Sequence, residues 1–326
     1  MLPPSPRGAA LSPVAFLDRA AAVFPDRTGV VDGERRWTWA QLAERARRLA
    51  VALQAAGIGH GDRVAIVAPS SAELLEAHFG VPAAGAVLVA VDGRLAEDEV
   101  AELLERSLVR LLVVDAAREP LGAAAASRAG VPRVLVCGPG GRSYEAFLAG
   151  AGAAAPAPRP VDEEALLSVT YGSAAGDPAG PVGTTHRAAY LDALAEVHHA
   201  RLDTRSVYLW TVPLLPAGGV SFPWAVTAAA AKHVCVRAVD DPALGRRLAH
   251  EGVTHLGTGP AGAAIAVEDT APAALWSRRA DDASPGFRIR RVPAVPVAEA
   301  EEALVLALAA HGGRDALRPG QPGLAA

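Results

Sequence analysis

The residues best suited to bind an anion lie in a glycine-rich stretch, YGSAAGDPAGPVGTT, at positions 171–185. An apolar run precedes this stretch and a helical pattern follows it, which predicts a strand, a loop and a helix start. The candidate ligand-binding residues in it are Tyr171, Ser173, Gly176, Gly180, Thr184 and Thr185. Amides of such a loop and of a first helical turn can hold a phosphate or a carboxylate. Glycine-rich loops also form for turn geometry alone, so both interpretations stay open.

Three further residues are candidates for acid–base catalysis: His186, His255 and Thr258. His186 directly follows the glycine-rich stretch, and its alternative role is to order the helix start. His255 lies in VTHLGTGPAG with Thr258 and with Gly257, another candidate ligand-binding residue. We expect His255 at the end of a strand, where sheets of this class bind ligands. Histidine is the side chain that most readily exchanges a proton near neutral pH.

The aromatic side chains and the cysteines can each have a structural or a functional role. Trp210, Phe222 and Trp224 are candidates to line an apolar ligand pocket, although their spacing is equally typical of a core. Cys137 and Cys235 lack a CxxC or Cys/His spacing, which predicts neither a disulfide framework nor a metal site. We expect both cysteines to pack as small apolar residues in strands.

The charge balance argues against a nucleic-acid partner. The 31 basic and 35 acidic residues give a formal net charge of -4, with both signs interspersed. Such a chain has no basic face for a phosphate backbone. Its single lysine is Lys232, which we expect to be a solvated strand-edge residue. The sequence shows neither a signal peptide nor an apolar run of the roughly 20 residues that span a bilayer, which predicts a cytoplasmic protein.

Strand and helix patterns alternate through most of the chain. Residues 13–23 read as a first helix, and a tight turn at Asp32 and Gly33 separates two short strands. WAQLAERARRLAVALQAAG has the period of an amphipathic helix that ends at Gly57. Short apolar strands between helices predict a three-layer α/β fold with mainly parallel sheets. We expect subdomains at 1–155 and 156–270 and a divergent segment at 271–326.

Several ordered stretches resemble one enzyme family. The segment from WTWAQLAERARRLA to GRLAEDEVAELL, the glycine-rich stretch and the following VYLWTVPLLPAGGVSFPW, and EGVTHLGTGPAG are similar to acyl-CoA synthetases of the adenylate-forming superfamily. The resemblance covers approximately residues 13–267. It implies the fold of the first part of the large N-terminal domain, an acyl or aromatic carboxylate as ligand, and ATP with magnesium and CoA as cofactors.

The glycine-rich stretch departs from the family's phosphate loop, YTSGTTGxPKG in one-letter form. Ala174 and Ala175 stand at hydroxyl-bearing positions, Asp177 adds a negative charge, and Ala179 or Gly180 replaces the lysine. The resemblance implies that the serine, threonines and lysine of that loop bind the ATP phosphates. Charge and hydroxyl contacts to a polyphosphate are therefore lost here.

Two further departures lie downstream. Pro216 and Gly218 stand where relatives commonly carry a histidine and an asparagine near the active-site cleft. After Val267 nothing resembles the family's adenine-binding segment, its acidic residue for magnesium, its ribose-binding aspartate or its lid domain with a catalytic lysine. The resemblance therefore predicts a shortened relative without a C-terminal lid.

These departures support three functional hypotheses. The first is a synthetase-like protein that has lost ATP-dependent adenylation, uses no cofactor, and keeps an acyl or aromatic carboxylate pocket or a partner-binding role. The second is an ATP-independent enzyme, such as a cyclase, isomerase or acyl transferase, that reuses the old cleft. The third is an active acyl-adenylating ligase whose missing parts come from a separate chain. A homodimer or a protein partner would cover surface exposed by the shortening.

Overall fold

The structure is a computed structural model that describes residues 10–151, 162–171, 181–210, 214, 222–237, 250–258, 276–277 and 288–291. The helices in these ranges are α1 Val14–Val23, α2 Trp39–Ala55, α3 Ala72–Ala83, α4 Glu97–Arg106, α5 Glu119–Arg128, α6 Ser143–Ala149, α7 His186–His199 and α8 Phe222–Ala228. The strands are β1 Thr28–Asp32, β2 Arg35–Thr38, β3 Arg63–Ala68, β4 Val87–Asp92, β5 Val109–Asp115, β6 Val134–Cys137, β7 Leu166–Thr170, β8 Val182–Thr185, β9 Val207–Trp210, β10 Lys232–Cys235, β11 His255–Thr258, β12 Trp276–Ser277 and β13 Arg288–Arg291.

The strands form two sheets. The six-stranded sheet has the order β6-β5-β3-β4-β7-β8, and only β8 is antiparallel to its neighbour. The seven-stranded sheet has the order β12-β13-β11-β9-β10-β1-β2. Its four central strands are parallel, while β2, β13 and β12 are antiparallel to their neighbours. The expected α/β architecture is confirmed, with mixed sheets.

Helices cover the six-stranded sheet on both faces. One face packs side chains such as Val67, Val89 and Leu112 against α4 and α5. The opposite face belongs to a larger core that includes α1, α2, α3, α7 and α8 and side chains of the seven-stranded sheet. The two sheets therefore share a helical layer.

Helix α2 shows how local sequence defines these elements. The side chains of Leu42, Ala46, Leu49 and Leu53 are all buried, as their spacing predicted. Thr38 begins the helix because its hydroxyl accepts from the amide of Gln41, whose side chain accepts from the amide of Thr38. Gly57 follows the end of the helix at φ +74°, a conformation that favours glycine.

The sheets do not divide the chain at residues 155 and 156. Strands β1 and β2 join the seven-stranded sheet, because Val30 pairs with His233. Strands β7 and β8, which follow residue 156, complete the six-stranded sheet. The expected subdomain boundary therefore does not coincide with the division between the sheets. Within the divergent segment 271–326, the described residues are those of β12 and β13, which extend the sheet beside β11.

Candidate functional site

The strands on either side of residues 172–180 are antiparallel neighbours. Strand β7 ends at Thr170, which pairs with Val182 of the antiparallel β8. Residues 172–180, with the candidates Ser173, Gly176 and Gly180, lie outside the described residues, as do Pro216 and Gly218. The expectation that the loop opens directly into a helix is wrong, because the four residues of β8 intervene.

The amino terminus of α7 is occupied by acceptors from the protein itself. The amide of His186 donates to the carbonyl of Ala165 (3.1 Å), and the amide of Arg187 donates to that of Glu163 (2.8 Å). Thr185 caps the helix, since its hydroxyl accepts from the amide of Ala188 at 3.2 Å. These amides are satisfied, so this helix end does not provide the anion site that the sequence suggested. Thr184 is buried within β8.

Tyr171 is the first residue of the glycine-rich stretch, and the structure describes its contacts. Its hydroxyl lies 2.6 Å from the Ser107 hydroxyl, at the end of α4. The guanidinium carbon of Arg106 lies 5.6 Å from the centre of the Tyr171 ring. Both contacts fix the phenol at the point where the glycine-rich loop begins.

His186 is buried at the first position of α7. Its Nδ1 lies 2.9 Å from the hydroxyl oxygen of Ser12, which also accepts from the amide of Val14. Burial lowers the pKa of His186 to about 4, so the ring is neutral at neutral pH. The side chain joins the chain before α1 to the start of α7, which is the ordering role considered above.

His255 lies at the beginning of β11, not at its carboxyl end. Its Nε2 lies 3.1 Å from the carbonyl oxygen of Ala200, and a carbonyl can only accept, so Nε2 carries the proton. Its Nδ1 lies 2.7 Å from the hydroxyl of Thr254. The ring is 2% exposed. The expected position of His255 at the ligand-binding end of the strand is therefore wrong.

His186 and His255 do not share a site. One begins α7, and the other contacts the residue that follows α7. A helix of 14 residues is about 20 Å long. Proton transfer between catalytic groups and one substrate requires hydrogen-bond distances. The length of α7 thus rules out a common acid–base site for these two histidines.

Thr258 and Gly257 lie at the carboxyl end of β11, where they pair with β13. Strand β9 is the parallel neighbour of β11 and ends at Trp210. The carboxyl-terminal residues of these two neighbouring strands, Thr258 and Trp210, therefore lie at the same edge of the sheet. Parallel sheets bind ligands at this edge.

The three aromatic candidates pack in the core. Trp210, Phe222 and Trp224 are at most 2% exposed. The indole of Trp210 donates to Nδ1 of His233 at 3.1 Å, and that of Trp224 donates to the carbonyl of His78 at 3.1 Å. Their contacts within the described residues are those of core side chains.

Sequence reasoning missed an ionic cluster where the carboxyl ends of the two sheets meet. Asp32 ends β1 in one sheet and Asp115 ends β5 in the other. Arg237 lies between them, with Nη1 donating to Asp115 at 2.7 Å and Nε 3.8 Å from Asp32. Arg35 binds both Asp32 and Glu73. The available signal was an aspartate closing each apolar strand, TGVVD and VRLLVVD.

This cluster joins the sheets and leaves little room around it. A Cβ at Gly138, whose φ is +76°, would lie 2.3 Å from Oδ2 of Asp115. The carboxylates of Asp32 and Asp115 are almost fully buried, so their charge requires the guanidinium groups. Each described side chain of the cluster has a partner, which makes it a joint and not an open ligand site.

Lys232 lies at the start of a strand of the seven-stranded sheet. It is the first residue of β10, at the amino edge of the parallel strands, and its ammonium donates to Oε2 of Glu251 at 2.9 Å. It also donates to the carbonyl of Glu251. The expected solvated lysine is therefore wrong, since its charge is held in a part-buried ion pair.

The remaining expectations concern the cysteines, possible metal ligands and possible membrane helices. Cys137 and Cys235 are free and buried at the ends of β6 and β10, as predicted. Within the described ranges, no group of three or more His, Cys, Asp or Glu side chains is placed to hold a metal ion. The helices described here include none that is long and apolar enough to cross a membrane.

Known proteins resemble the chain over most of its length. A family model described as AMP-binding enzyme matches residues 17–310. Acetate/butyrate–CoA ligase AAE7, a peroxisomal protein of Arabidopsis thaliana, is 37% identical over 275 residues, which cover 77% of this chain and 48% of that protein. The peroxisomal benzoate–CoA ligase of the same plant is 32% identical over 76% of this chain and 46% of its own length. The chain thus spans about half the length of these relatives.

Solved structures of CoA ligases share the fold. An anthranilate CoA ligase in complex with anthranoyl-AMP aligns with a TM-score of 0.70 and 22% identity, covering 80% of this chain and 52% of that one. A putative long-chain-fatty-acid CoA ligase from Rhodopseudomonas palustris gives 0.65 and 24% identity over 74% and 62%. With the family match over residues 17–310, we conclude that the chain belongs to the AMP-binding enzyme family.

Proposed function

We propose that this chain binds an acyl or aromatic carboxylate and does not form acyl-adenylates by itself. The observation that carries the proposal is the lysine distribution. The glycine-rich loop contains no lysine, and the chain's single lysine, Lys232, forms an ion pair at the amino edge of the other sheet. The loop lies inside the family match, so its substitutions do not depend on where the chain begins or ends.

The lost contacts are large enough to matter. A hydrogen bond that involves a charged group contributes about 1.5–3 kcal/mol. Alanines at 174 and 175 and the missing lysine remove several such bonds to a polyphosphate, and Asp177 adds repulsion. Because about 1.4 kcal/mol corresponds to a factor of ten, triphosphate affinity falls by several powers of ten.

The names of the relatives support the proposed ligand class, and the fold supports the proposed position of the pocket. The relatives are named for acetate, butyrate and benzoate, and a structural neighbour is named for anthranilate. We place the pocket at the carboxyl edge shared by β9 and β11, where sheets of this type bind ligands. The buried ring of Trp210 lies at the end of β9 and supports that edge from the core.

An ATP-independent acid–base enzyme receives less support. Its candidates were His186, His255 and Thr258. The two histidines lie at opposite ends of α7, and each contacts a structural partner. A binding function is therefore the better proposal.

Calorimetric titration tests the proposal. The purified chain is titrated with ATP and magnesium, and separately with acetate, butyrate, benzoate, anthranilate and their CoA thioesters. We expect heat from at least one organic acid or thioester and none from ATP. Tight ATP binding, or acyl-adenylate formed by the purified chain, would contradict the proposal. If no organic acid or thioester gave heat of binding, the proposed binding function would be wrong. The conclusion that the loop does not bind ATP would be unaffected.

A further inference from the structure

Glu76 of α3 is a carboxyl group with no exposed surface, and it lies where three helices meet. Arg45 of α2 donates through Nε to Oε1 and through Nη2 to Oε2. Tyr144 of α6 donates its hydroxyl to Oε2 at 2.9 Å. A single carboxyl group therefore joins α3 to both α2 and α6.

The guanidinium of Arg45 is shared between two carboxyl groups. Beside Glu76, it binds both carboxylate oxygens of Glu145 on α6, at 2.6 and 3.0 Å. The side chain of Glu145 is 50% exposed, so water compensates its charge, whereas Glu76 has no surface in contact with water. Glu73, one turn away on α3, adds a further negative charge. Among these carboxyl groups, Glu76 is the one whose ionised form lacks compensation.

The buried carboxylates nearest to Glu76 are better compensated. Asp32 binds Arg35 and accepts from the amide of Ala72, the first residue of α3. Glu73 accepts two hydrogen bonds from Arg35, at 2.6 and 3.2 Å. Both carboxylates lie at the amino end of α3, where the helix dipole favours negative charge. Although burial raises the pKa of Glu73, its bonds to Arg35 hold that pKa below its ordinary value of 4.5, so Glu73 stays ionised near neutral pH.

Glu76 has the opposite behaviour. Burial raises its pKa from 4.5 to about 7, although Arg45 lowers that pKa. The charged or titratable side chains around it are Arg45 of α2, Glu73 of α3, Tyr144 and Glu145 of α6, and Cys137 of β6. Burial raises the pKa of Tyr144 and of Cys137 as well, so both keep their protons at neutral pH. Glu76 is therefore the member of this group that exchanges a proton near neutral pH.

Helix α6 is the element whose separation would hydrate Glu76 at the least cost. It has seven residues and follows β6, the edge strand of the six-stranded sheet. Its buried side chains are Tyr144 and Leu148. By contrast, α2 and α3 have 17 and 12 residues and contribute many apolar side chains to the larger core. Short elements with few buried side chains open locally before a domain unfolds.

We propose that Glu76 is a proton-dependent latch for α6: the protonated carboxyl group keeps α6 packed on α2 and α3, and loss of the proton favours separation of α6. Thermodynamic linkage gives the direction. A carboxyl group that binds its proton more tightly when buried than when hydrated favours the closed state at low pH and the open state at high pH. The stabilisation is complete below pH 4.5 and is lost as the pH rises to about 7. The latch does not depend on the ligand proposed above.

Hydrogen exchange of the backbone amides that α6 protects tests the latch. The amides of Ala146 and Gly150 donate to the carbonyls of Arg142 and Ala146. Exchange rates from about pH 5 to about pH 8 are divided by the intrinsic rates, which removes the ordinary pH dependence of exchange. We expect protection of these two amides to fall by up to about tenfold per pH unit until about pH 7 and then to level off.

Two results with the native chain would overturn the proposal. One is protection of the α6 amides that does not change with pH. The other is protection of these amides as strong as that of the α2 amides, because α6 would then open only when the whole domain unfolds.

Three variants assign the pH dependence to Glu76. Glu76→Gln keeps the shape of the side chain without its titrating proton, so protection of α6 no longer changes with pH over this range. Glu145→Gln leaves the charge of Arg45 to Glu76 alone, so the midpoint of the transition moves to lower pH. Tyr144→Phe removes a donor to the carboxylate, so the midpoint moves to higher pH.

Glu102→Gln on α4 is the matched control. Glu102 has the same 50% exposure as Glu145 and also pairs with an arginine, so its removal leaves the midpoint unchanged. A pH dependence that persists in Glu76→Gln belongs to another group and overturns the proposal. If that variant fails to fold, the opposite shifts in Glu145→Gln and Tyr144→Phe decide, and a midpoint that stays in place in both refutes the latch.

Discussion

His186 and His255 are connected by one helix: His186 begins α7, and the ring of His255 donates to the carbonyl of Ala200 directly after α7. Carbonyls at a helix end lack partners within the helix, so His255 satisfies one of them. Ser12 holds His186 at the other end. The two histidines therefore fix the position of α7 between the segment before α1 and strand β11.

Their separation predicts independent effects on stability. His186→Ala and His255→Ala each leave a buried group without its partner, so each lowers the free energy of unfolding by about 1–3 kcal/mol. Residues about 20 Å apart contribute additively, within about 0.5 kcal/mol. Urea unfolding of the single and double variants measures this. A coupling well above that margin would show that the two rings act together.

Restoring the loop chemistry should restore ATP binding. The triple variant Ala174→Thr, Ala175→Thr and Ala179→Lys returns hydroxyls and a positive charge to the glycine-rich loop. We expect a gain of at least tenfold in ATP affinity by calorimetry, since even one charge-assisted bond is worth about that factor. Ala123→Lys, on the exposed face of α5, is the control for an added charge. Equal ATP affinity in the triple variant and the control would refute the loop argument.

The Arg237 joint should be costly to break. Arg237→Met leaves Asp115 buried beside a neutral side chain, while Asp32 keeps its ion pair with Arg35, and we expect a cost of about 3–5 kcal/mol. Adding Asp115→Asn removes the buried charge that has lost its partner. The free energy of unfolding of the double variant is therefore higher than that of Arg237→Met. Denaturant unfolding provides the measurement.

An exposed ion pair supplies the comparison for that joint. Arg205 and Asp203 have 90% and 47% exposed side chains, so Arg205→Met changes stability by less than about 1 kcal/mol. If Arg237→Met were equally mild, the two sheets would not depend on this ion pair.

Buried histidines predict a loss of stability in acid. Burial, with a smaller contribution from nearby His78, lowers the pKa of His233 from 6.5 to about 3. In the unfolded chain, His233 therefore binds a proton near pH 6.5. In the folded chain, it binds that proton only near pH 3. This contribution is fully present above pH 6.5 and is lost progressively as the pH falls toward 3.

The variant His233→Gln isolates that contribution. Between pH 6.5 and 4, we expect the free energy of unfolding to fall less steeply than in the native chain, by up to about 1.4 kcal/mol per pH unit. Trp210→Phe removes the hydrogen bond to His233 without the titrating ring, so it lowers stability but keeps the native slope. If the free energy of unfolding fell equally steeply with pH in the native chain and in His233→Gln, the loss of stability in acid would not come from His233.

Local features could be predicted because their causes are local. Helix α2 follows from the spacing of Leu42, Ala46, Leu49 and Leu53, and the turn at Gly33 follows from a glycine that adopts φ +65°. The alternation of apolar strands and helices indicated the α/β class. Each of these signals lies within about twenty residues of chain.

The sheet partition could not be predicted, because its pairings are distant in sequence. Val30 pairs with His233, and no pattern near either residue specifies the other. The position of His255 was wrong for a different reason. A strand was recognised near His255, but its bounds were not, and the strand runs from His255 to Thr258, so His255 begins it.

The ion pair of Lys232 has a consequence for solution measurements. Apart from the terminal amine, Lys232 is the only primary amine of the chain, and Glu251 accepts two hydrogen bonds from it. An amine-directed reagent therefore reacts at this side chain mainly when β10 separates from the helix turn that carries Glu251. The lysine side chain thus provides a chemical reporter of the separation of β10 from the turn that carries Glu251, with no label to introduce.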